Sequence, residues 1–202
     1  AQMEVSSQAL KYGRVRNMKM DVGIFLNISE DHISPIEHPD FEDYFVSKLL
    51  LFRQAKYAVV NKDADFAGRI LEAAKVCERT VTFSTQDSQA DVYGYEIQKD
   101  GHETVFRVKT AEFDEEFRLT MPGLFNVENA LAVIGAAMLL KIPVAYMQSG
   151  LYRARSKGRM ELYSSEDKQR IAIVDFAHNK LSYEKLFSST KDEYPDYKIV
   201  AV

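Results

Sequence analysis

Three side chains in the first quarter of the sequence are of types that take part in metal sites. His32 follows Glu30 and Asp31 in the stretch SEDH, whereas Lys48 lies within the apolar run FVSKLLLF and Glu4 belongs to MEVSS. Histidine and carboxylates are common metal ligands. A neutral, buried lysine amine can react with carbon dioxide to form a carbamate, whose oxygens bind a hard metal ion such as magnesium. Glu4, His32 and Lys48 are therefore candidates for a magnesium site.

The same residues also have simpler interpretations. A lysine on a helix face usually extends its amine into solvent while its methylene groups cover apolar surface. A single histidine is commonly a loop or core residue whose ring nitrogens are satisfied by hydrogen bonds. The local sequence around Lys48 and His32 leaves both interpretations open.

Later residues are of types that bind nucleotides. Asn126 and Asn129 have helical spacing in GLFNVENALA, where they would either form caps and local hydrogen bonds or pair with the edge of adenine. Arg159 occurs in GRMEL, and Asp175 and His178 occur in VDFAHN. The arginine and Asp175 would form an ion pair between domains, or would contact a phosphate and a ribose.

The elements that must position these residues alternate between strands and helices. Short apolar runs predict buried strands at VGIFLNI, YAVVN and VTFST, and the segments between them predict helices at PDFEDYFVSKLLLFRQA and DADFAGRILEAAK. His32 follows the first strand, at the edge where open α/β sheets keep their ligands, and Glu4 is predicted at another strand end. The pattern predicts a mostly parallel sheet with helices on both faces.

In the second half of the sequence the hydrophobic pattern changes. VYGYEIQKDGHETVFRVKTAEFDEEFRLTM alternates polar and apolar residues and predicts antiparallel strands with a tight turn at KDGH. An apolar helix is predicted from near Asn126 to before Pro143, followed by a short helix around VAYMQSGLYRA. The last segment predicts strand, loop, helix and a final strand at YKIVAV. We therefore predict a central domain over residues 1–157 and the beginning of a second α/β domain over residues 158–202.

Composition narrows the class of protein. The chain has 202 residues, a formal net charge of -4 and one cysteine, Cys77. The charge argues against a nucleic-acid partner, and a single cysteine excludes an internal disulfide. No apolar run approaches the roughly 20 residues that cross a bilayer, so we predict a cytoplasmic protein without membrane insertion. The sequence does not begin with methionine and stops inside a predicted strand, which is typical of part of a longer protein.

Six motifs occur in a specific order. They are MEVSSQAL, LNISEDHIS, YFVSKLLLF, GLFNVENALA, GRMEL and VDFAHNKLSYEKL. Together they resemble the Mur ligase family, most closely its MurE type, over essentially the whole chain. The resemblance implies a central ATPase-like α/β domain followed by the start of a C-terminal Rossmann-like domain. It also implies a monomeric enzyme of peptidoglycan synthesis that adds the third amino acid to UDP-MurNAc-L-Ala-D-Glu, using ATP and an acyl-phosphate intermediate.

The resemblance also assigns roles at the substrate and metal side of the site. Glu4 and His32 would bind magnesium, and Lys48, as a carbamate, would support a second magnesium ion. Ser6 and Arg14 match positions that hold the UDP-MurNAc-peptide. The chemistry proposed from the residue types agrees with these assignments.

On the nucleotide side, the resemblance implies contacts with ATP. Asn126 and Asn129 would face adenine. Arg159, Asp175 and His178 would line the nucleotide side of the cleft between the two domains.

Some features differ from the family pattern. Family members carry a glycine-rich phosphate loop of the G-T-x-G-K-T kind before MEVSS, which this sequence lacks, so we expect the chain by itself to be inactive. Gln8 and Tyr12 stand where the family commonly has histidine and glutamine, which puts the peptide contacts near Arg14 in question. VDFAHNK replaces the more frequent DYAHTP.

Two other functions remain open from the sequence. One is another ligase of the same superfamily, of the folylpolyglutamate synthase or cyanophycin synthetase type. The other is a non-catalytic nucleotide-binding or scaffold relative. The motifs MEVSS and SEDHIS favour the MurE type.

Overall fold

The computed structural model describes residues 1–30, 33–100, 103–121, 123–155, 157–158, 160–167, 169–178 and 180–202. Its central feature is a six-stranded sheet. In spatial order, which is also chain order, the strands are β1 (Met20–Phe25), β2 (Ala55–Asn61), β3 (Arg79–Ser84), β4 (Val92–Asp100), β5 (Glu103–Lys109) and β6 (Asp114–Leu119). Strands β1 to β4 pair in parallel and β4 to β6 pair antiparallel. The predicted sheet, mostly parallel with a small antiparallel part, is confirmed.

Helices connect the parallel strands and cover both faces of the sheet. They are α1 (Ser7–Lys11), α2 (Phe41–Leu49), α3 (Ala67–Ala74), α4 (Leu124–Leu139), α5 (Val144–Arg153) and α6 (Lys180–Glu193), with a 3-10 turn over Leu50–Gln54. In the chain α2 joins β1 to β2 and α3 joins β2 to β3, since parallel strands need such crossovers. Within the described residues, every helix falls short of the length and apolar character that crossing a bilayer requires.

Strand β2 shows how the sheet separates two apolar cores. Ala58, Val59 and Val60 are all fully buried, as expected for a strand covered on both faces. Val59 packs with Leu131 of α4 on one face, whereas Ala58 and Val60 pack with Phe45 of α2 on the other. Successive side chains of a strand point to opposite faces, so the apolar run YAVVN supplies both cores.

Helix α4 approaches the centre of the sheet closely. A Cβ atom at Gly135 would lie 3.1 Å from Val59 Cγ1 and 3.3 Å from Val81 Cγ1, so the missing side chain permits the close approach. The helix, predicted to begin near Asn126, begins at Leu124. Its apolar character follows from this buried position.

Helix α2 starts where its sequence predicts. Asp40 accepts a hydrogen bond from the Asp43 N–H at 2.8 Å and is the N-cap, and Glu42 and Asp43 lie in the first turn. Acidic side chains at this end interact favourably with the helix dipole. The α-helix ends at Leu49, and the rest of the predicted helix forms the 3-10 turn.

The last part of the chain forms a separate small sheet. Strands β7 (Glu161–Ser164) and β8 (Ile171–Val174) pair antiparallel, and β7 was not among the predicted strands. The strand predicted at YKIVAV is wrong, because residues 197–202 form no strand and Val200 and Val202 are exposed. An apolar run becomes a strand only where a neighbour can pair its backbone groups.

The other local predictions have mixed outcomes. The strand predicted before Glu4 is also wrong, since residues 1–6 form no strand. In the predicted turn KDGH, Gly101 and His102 lie outside the described residues, although β4 and β5 on either side pair antiparallel. The domain boundary at residues 157 and 158 stays a prediction.

Candidate functional site

The segment MEVSS and helix α1 carry the two candidate substrate residues. Ser6 accepts a hydrogen bond from the Ala9 N–H at 3.1 Å and thereby caps α1. Gly13, with φ +66°, turns the chain after the helix. Arg14 is exposed, and its guanidinium lies 6.0 Å from the centre of the Tyr12 ring. Ser6 and Arg14 therefore flank one short helix.

Lys48 lies in the last turn of α2 and is half-buried. Its Nζ lies 5.2 Å from the centre of the Tyr44 ring, one turn earlier on the same helix. This distance is within the range of a cation–π interaction. The neighbouring side chains of Phe45 and Ser47 are buried. The amine thus lies at the margin of the core, which keeps open both the solvated and the chemical interpretation of this lysine.

Two predicted site residues, His32 and Arg159, lie outside the described residues, and so does the predicted pair of Arg159 with Asp175. Glu4 is exposed. Among the described side chains, no group of three or more His, Cys, Asp and Glu residues is arranged to hold a metal ion. Helix α1 nevertheless packs against α2, so the segment after Glu4 adjoins the helix of Lys48. Carboxylate and carbamate oxygens suit magnesium, and the residue types fit this ion.

The contact between α1 and α2 uses residues that the sequence did not single out. His38 is fully buried, its Nε2 is 2.9 Å from Ser7 Oγ, and its Nδ1 is 2.5 Å from Asp43 Oδ2. Lys11 Nζ contacts the same Asp43 oxygen at 2.6 Å. Hydrogen bonds from Lys11 and then His38 hold the pKa of Asp43 below its usual range. The one available sequence signal was a histidine close to the acidic start of a predicted helix.

The ends of β2 and β3 carry a second polar cluster that sequence analysis missed. Asp63 accepts hydrogen bonds from the Ser84 hydroxyl and from the Thr85 N–H, the latter at 2.7 Å. Asn61 accepts from the Asp63 N–H at 2.9 Å. Asn61 and Ser84 are buried. These bonds fix the loops at the edge of the sheet where α/β proteins bind ligands.

The start of α4 places the two candidate adenine residues. Gly123, with φ +100°, is the N-cap, so the interpretation of Asn126 or Asn129 as the cap is wrong. Asn126 is half-buried and Asn129 is exposed. Between them, Glu128 lies with its Oε2 4.0 Å from Lys185 Nζ on α6, and burial raises the pKa of this carboxyl group. The starts of α4 and α6 are therefore close together.

Asp175 and His178 lie in the loop between β8 and α6. The carboxylate of Asp175 accepts hydrogen bonds from the N–H groups of Met160 and Ala177, both at 2.8 Å. The exposed His178 has its Nδ1 2.9 Å from the Phe176 carbonyl oxygen, so this nitrogen carries a proton and donates. Asp175 thus fixes the residue that follows Arg159.

The sequence matches a known protein family over most of the region that carries these residues. Residues 1–137 match the Mur ligase middle domain. The matched region contains the parallel strands, α1, α2 and most of α4. More than half of the chain is therefore assigned to one family.

Two curated relatives support the same assignment. The chain is 37% identical over 196 residues to the UDP-N-acetylmuramoyl-L-alanyl-D-glutamate–L-lysine ligase of Streptococcus mutans, covering 94% of this chain and 37% of the relative. It is 38% identical over 192 residues to the UDP-N-acetylmuramyl-tripeptide synthetase of Lactococcus lactis subsp. cremoris, covering 95% and 38%. The chain spans less than two fifths of the length of either relative.

A solved structure shows the same fold. The chain superimposes on a UDP-N-acetylmuramoyl-L-alanyl-D-glutamate–2,6-diaminopimelate ligase with a TM-score of 0.78 and 24% identity, covering 93% of this chain and 39% of the other. At this identity the likeness concerns the fold alone. The match to the middle domain and the two relatives show that the chain belongs to the Mur ligase family.

Proposed function

We propose that the protein containing this chain is an ATP-dependent ligase that adds the third amino acid to UDP-MurNAc-L-Ala-D-Glu in peptidoglycan synthesis. The observation that carries this proposal is the packing of α1 against α2, because it sets Ser6 and Arg14 beside the helix of Lys48. The candidate substrate-binding residues then flank a helix that adjoins the one carrying the lysine proposed to support the metal. The relative from Streptococcus mutans, which is named for this type of ligation, supports the proposal.

The reaction requires control of negative charge. ATP phosphorylates the terminal carboxylate of the peptide, and the incoming amine attacks the acyl phosphate and releases phosphate. The two anionic substrates repel each other, so Arg14 would hold the UDP-MurNAc-peptide and Arg159 the nucleotide phosphates. Glu4, His32 and a carbamylated Lys48 would hold magnesium, which supplies charge neutralisation at the transferring phosphoryl group.

The proposed carbamate changes the sign of the charge at Lys48. As an ammonium group, this side chain repels a metal cation and is attracted to the face of Tyr44. As a carbamate, it offers oxygens that attract the cation. Half-burial of the lysine removes part of the water that stabilises its ammonium form, and the neutral amine is the form that reacts with carbon dioxide.

The nucleotide is proposed to lie between the starts of α4 and α6. Asn126 and Asn129 would pair with adenine, since a carboxamide offers both a donor and an acceptor. Asp175 and His178 would line the side of the ribose and phosphates. The hydrogen bond from the Met160 N–H to Asp175 supports this arrangement, because it fixes the backbone next to Arg159.

We propose L-lysine as the added amino acid. The Streptococcus mutans relative is named an L-lysine ligase and is 37% identical to this chain. The structure named for 2,6-diaminopimelate is 24% identical and concerns the fold alone. Assays with both amino acids separate the two possibilities.

The full-length protein is also proposed to be a cytoplasmic monomer, with a central domain over residues 1–157 and a second domain beginning at residue 158. Water-soluble, highly charged substrates and the free thiol of Cys77 support this location. Size-exclusion chromatography with light scattering measures the oligomeric state.

The first prediction concerns Lys48→Ala in the full-length enzyme, assayed with ATP, magnesium, UDP-MurNAc-L-Ala-D-Glu and L-lysine. We expect the substitution to reduce kcat by at least about a hundredfold, because it removes a group that positions charge at the reacting phosphate. A short-chain carboxylic acid, added to replace the carbamate, should restore part of the activity. Phosphate release measures the rate.

Lys75→Ala is the matched control. Lys75 is an exposed lysine that pairs with Glu72 at 2.5 Å on the surface, so its removal should leave the rate unchanged. Full activity of Lys48→Ala would contradict the role of the carbamate. An inactive wild-type enzyme with L-lysine, diaminopimelate and other amino acids would instead overturn the substrate assignment, leaving a folylpolyglutamate synthase-like, cyanophycin synthetase-like or scaffold function.

A further inference from the structure

The buried histidine His38 has no part in the chemistry proposed above. It is fully buried and both of its ring nitrogens have partners, Ser7 Oγ at 2.9 Å and Asp43 Oδ2 at 2.5 Å. The same Asp43 oxygen contacts Lys11 Nζ at 2.6 Å. We call these four residues, Ser7, Lys11, His38 and Asp43, the His38 clamp.

The proton positions in the clamp follow from the charge of Asp43. Its carboxylate accepts from Lys11 and from His38, and these hydrogen bonds lower its pKa, so it is an acceptor at neutral pH. Nδ1 of His38 is then the donor to Asp43. In the neutral ring Nε2 is an acceptor, and the Ser7 hydroxyl donates to it. Every polar atom of the buried imidazole is thereby satisfied.

The clamp holds helix α1 at both of its ends. Ser7 and Lys11 are the first and last residues of α1, and their spacing of i and i+4 places them on one face. Both reach the His38–Asp43 pair, which lies at the start of α2. Ser6 precedes the clamped helix directly, and Arg14 follows it by less than one helical turn.

On its other side, the clamp adjoins Lys48. The ring of His38 lies 5.3 Å from the ring of Tyr44, and Lys48 Nζ lies 5.2 Å from that same ring. The Tyr44 ring therefore links His38, which contacts Ser7 of α1, to the lysine proposed to carry the carbamate. A displacement of the His38 ring would therefore affect both α1 and the Tyr44 ring, next to which Lys48 lies.

The order Ser7–His38–Asp43 resembles a hydrolase triad, but burial excludes that chemistry. Ser7 is 4% exposed and His38 is 0% exposed. A substrate carbonyl carbon must approach the serine oxygen closely for attack. The closed packing around Ser7 prevents such an approach, so the hydrogen bonds serve position and not nucleophilic attack.

We propose that His38 is a positioning residue that sets Ser6 and Arg14 in place for the UDP-MurNAc-peptide relative to Lys48. The inference rests on the proposed function, because it assumes that Ser6 and Arg14 bind this substrate. It assigns the role to a residue that does not touch the substrate. Loss of the clamp displaces α1 and weakens peptide binding, whereas the ATP site on α4 is unaffected.

The test uses Ser7→Ala, Asp43→Asn, their double variant and His38→Gln in the full-length ligase. Each single change should raise KM for UDP-MurNAc-L-Ala-D-Glu at least about tenfold, which is the effect expected for the loss of one hydrogen bond to a buried or charged group. KM for ATP should stay within about twofold of wild type. Ser7→Ala and Asp43→Asn each remove a partner of the His38 ring, although Asp43→Asn also changes the contact with Lys11. The rise in KM of the double variant should therefore be smaller than the product of the two single rises. A general loss of folded enzyme would lower kcat and leave both KM values unchanged.

Glu42→Gln is the matched control on the neighbouring residue. Glu42 also lies in the first turn of α2 and pairs with Arg69 at 2.5 Å, but Arg69 belongs to α3 and not to α1. This change should leave KM for the peptide substrate unchanged. An equal rise in Glu42→Gln, or no rise in Ser7→Ala and Asp43→Asn, overturns the inference even if His38→Gln fails to fold.

Amide hydrogen exchange separates this inference from the proposed function. Exchange of residues 8–15 should rise about tenfold in Asp43→Asn and stay at the wild-type rate in Glu42→Gln, since local opening follows the lost contact. Unchanged exchange in Asp43→Asn overturns the clamp. If the wild-type enzyme has no ligase activity, the proposed function fails, while the exchange data still decide whether the clamp holds α1.

Discussion

Glu128 combines a buried carboxyl group with charged neighbours of both signs. Burial raises its pKa, Lys185 lowers it, and Asp63 raises it further. The side chain is 24% exposed and lies 4.0 Å from Lys185 Nζ. At neutral pH the folded protein therefore holds this charge less favourably than the unfolded chain does.

We predict that Glu128→Gln raises the melting temperature of the full-length protein at pH 7 and that the difference disappears at about pH 4. The folded-state pKa is raised, so the stability contributed by the protonated carboxyl is fully present below the unfolded-state pKa. It is lost as the pH rises through the folded-state value. Glutamine is neutral throughout, although it gives up the attraction to Lys185. Thermal denaturation between pH 4 and pH 8 measures the effect.

Lys185→Met provides the opposite change for comparison. It leaves Glu128 without the partner at 4.0 Å and should lower the melting temperature at pH 7. A decrease in Glu128→Gln that persists unchanged at pH 4 would contradict the assignment of desolvation as the largest cause.

The sequence predicted the positions of some residues of the site but not the contacts between distant ones. Asn126 and Asn129 have helical spacing in the sequence and lie on α4 as predicted, whereas the contact of Ser7 with His38 joins residues 31 positions apart. Spacing along the chain does not show which distant helices will pack, so the clamp could not be predicted. His32 and Arg159 lie outside the described residues and stay predictions.

Among the elements, helix α4 carries a glycine, Gly135, where it packs against the sheet. We predict that Gly135→Ala destabilises the protein by about 1–3 kcal/mol, because the added methyl group would meet Val59 and Val81 at 3.1 and 3.3 Å. Urea denaturation measures the change in the free energy of unfolding. The buried contact outweighs the better helix propensity of alanine.

Gly150→Ala is the matched helix control for this prediction. Gly150 lies within α5, and a Cβ atom there would meet nothing within 4 Å. The same substitution should therefore stabilise by about 0.5–1 kcal/mol through propensity alone. If both glycine variants are stabilised equally, close packing at Gly135 is not limiting.

The sequence correctly predicted those helices and strands whose own residues determine the type of element. The run that became β2 is apolar enough to be buried on both faces, and α2 carries its own cap and acidic first turn. By contrast, β7 is short and mostly polar, and its strand conformation comes from pairing with β8. The strand predicted at YKIVAV fails for the opposite reason. Most of its residues are apolar, but in the described part of the chain no strand pairs with their backbone groups.

At the scale of the whole molecule, two ion pairs among the described residues cross the predicted domain boundary. Lys99 of β4 contacts Glu193 at 2.7 Å, and Lys185 of α6 contacts Glu128 of α4 at 4.0 Å. In the described residues, the two apolar core clusters include no side chain after Leu151. Charged contacts thus contribute to the attachment of α6 to the sheet.

We predict that trypsin cuts the native protein early between α5 and β7. Arg155 and Lys157 are exposed in this connection, and a linker between domains is cut before the folded elements on either side. Mass spectrometry of the first fragments identifies the site. Early cleavage at Lys62 or Arg69, within the parallel sheet region, would contradict the proposed boundary.

The two ion pairs of α6, at Lys185 and at Glu193, make its attachment sensitive to salt. Partly exposed charges are screened at high ionic strength, whereas apolar cores are not weakened in this way. Added salt therefore loosens α6 from the sheet before it loosens the sheet itself. We therefore expect a rise in ionic strength to increase the distance between α4, with the proposed adenine residues, and the loop of Asp175 and His178.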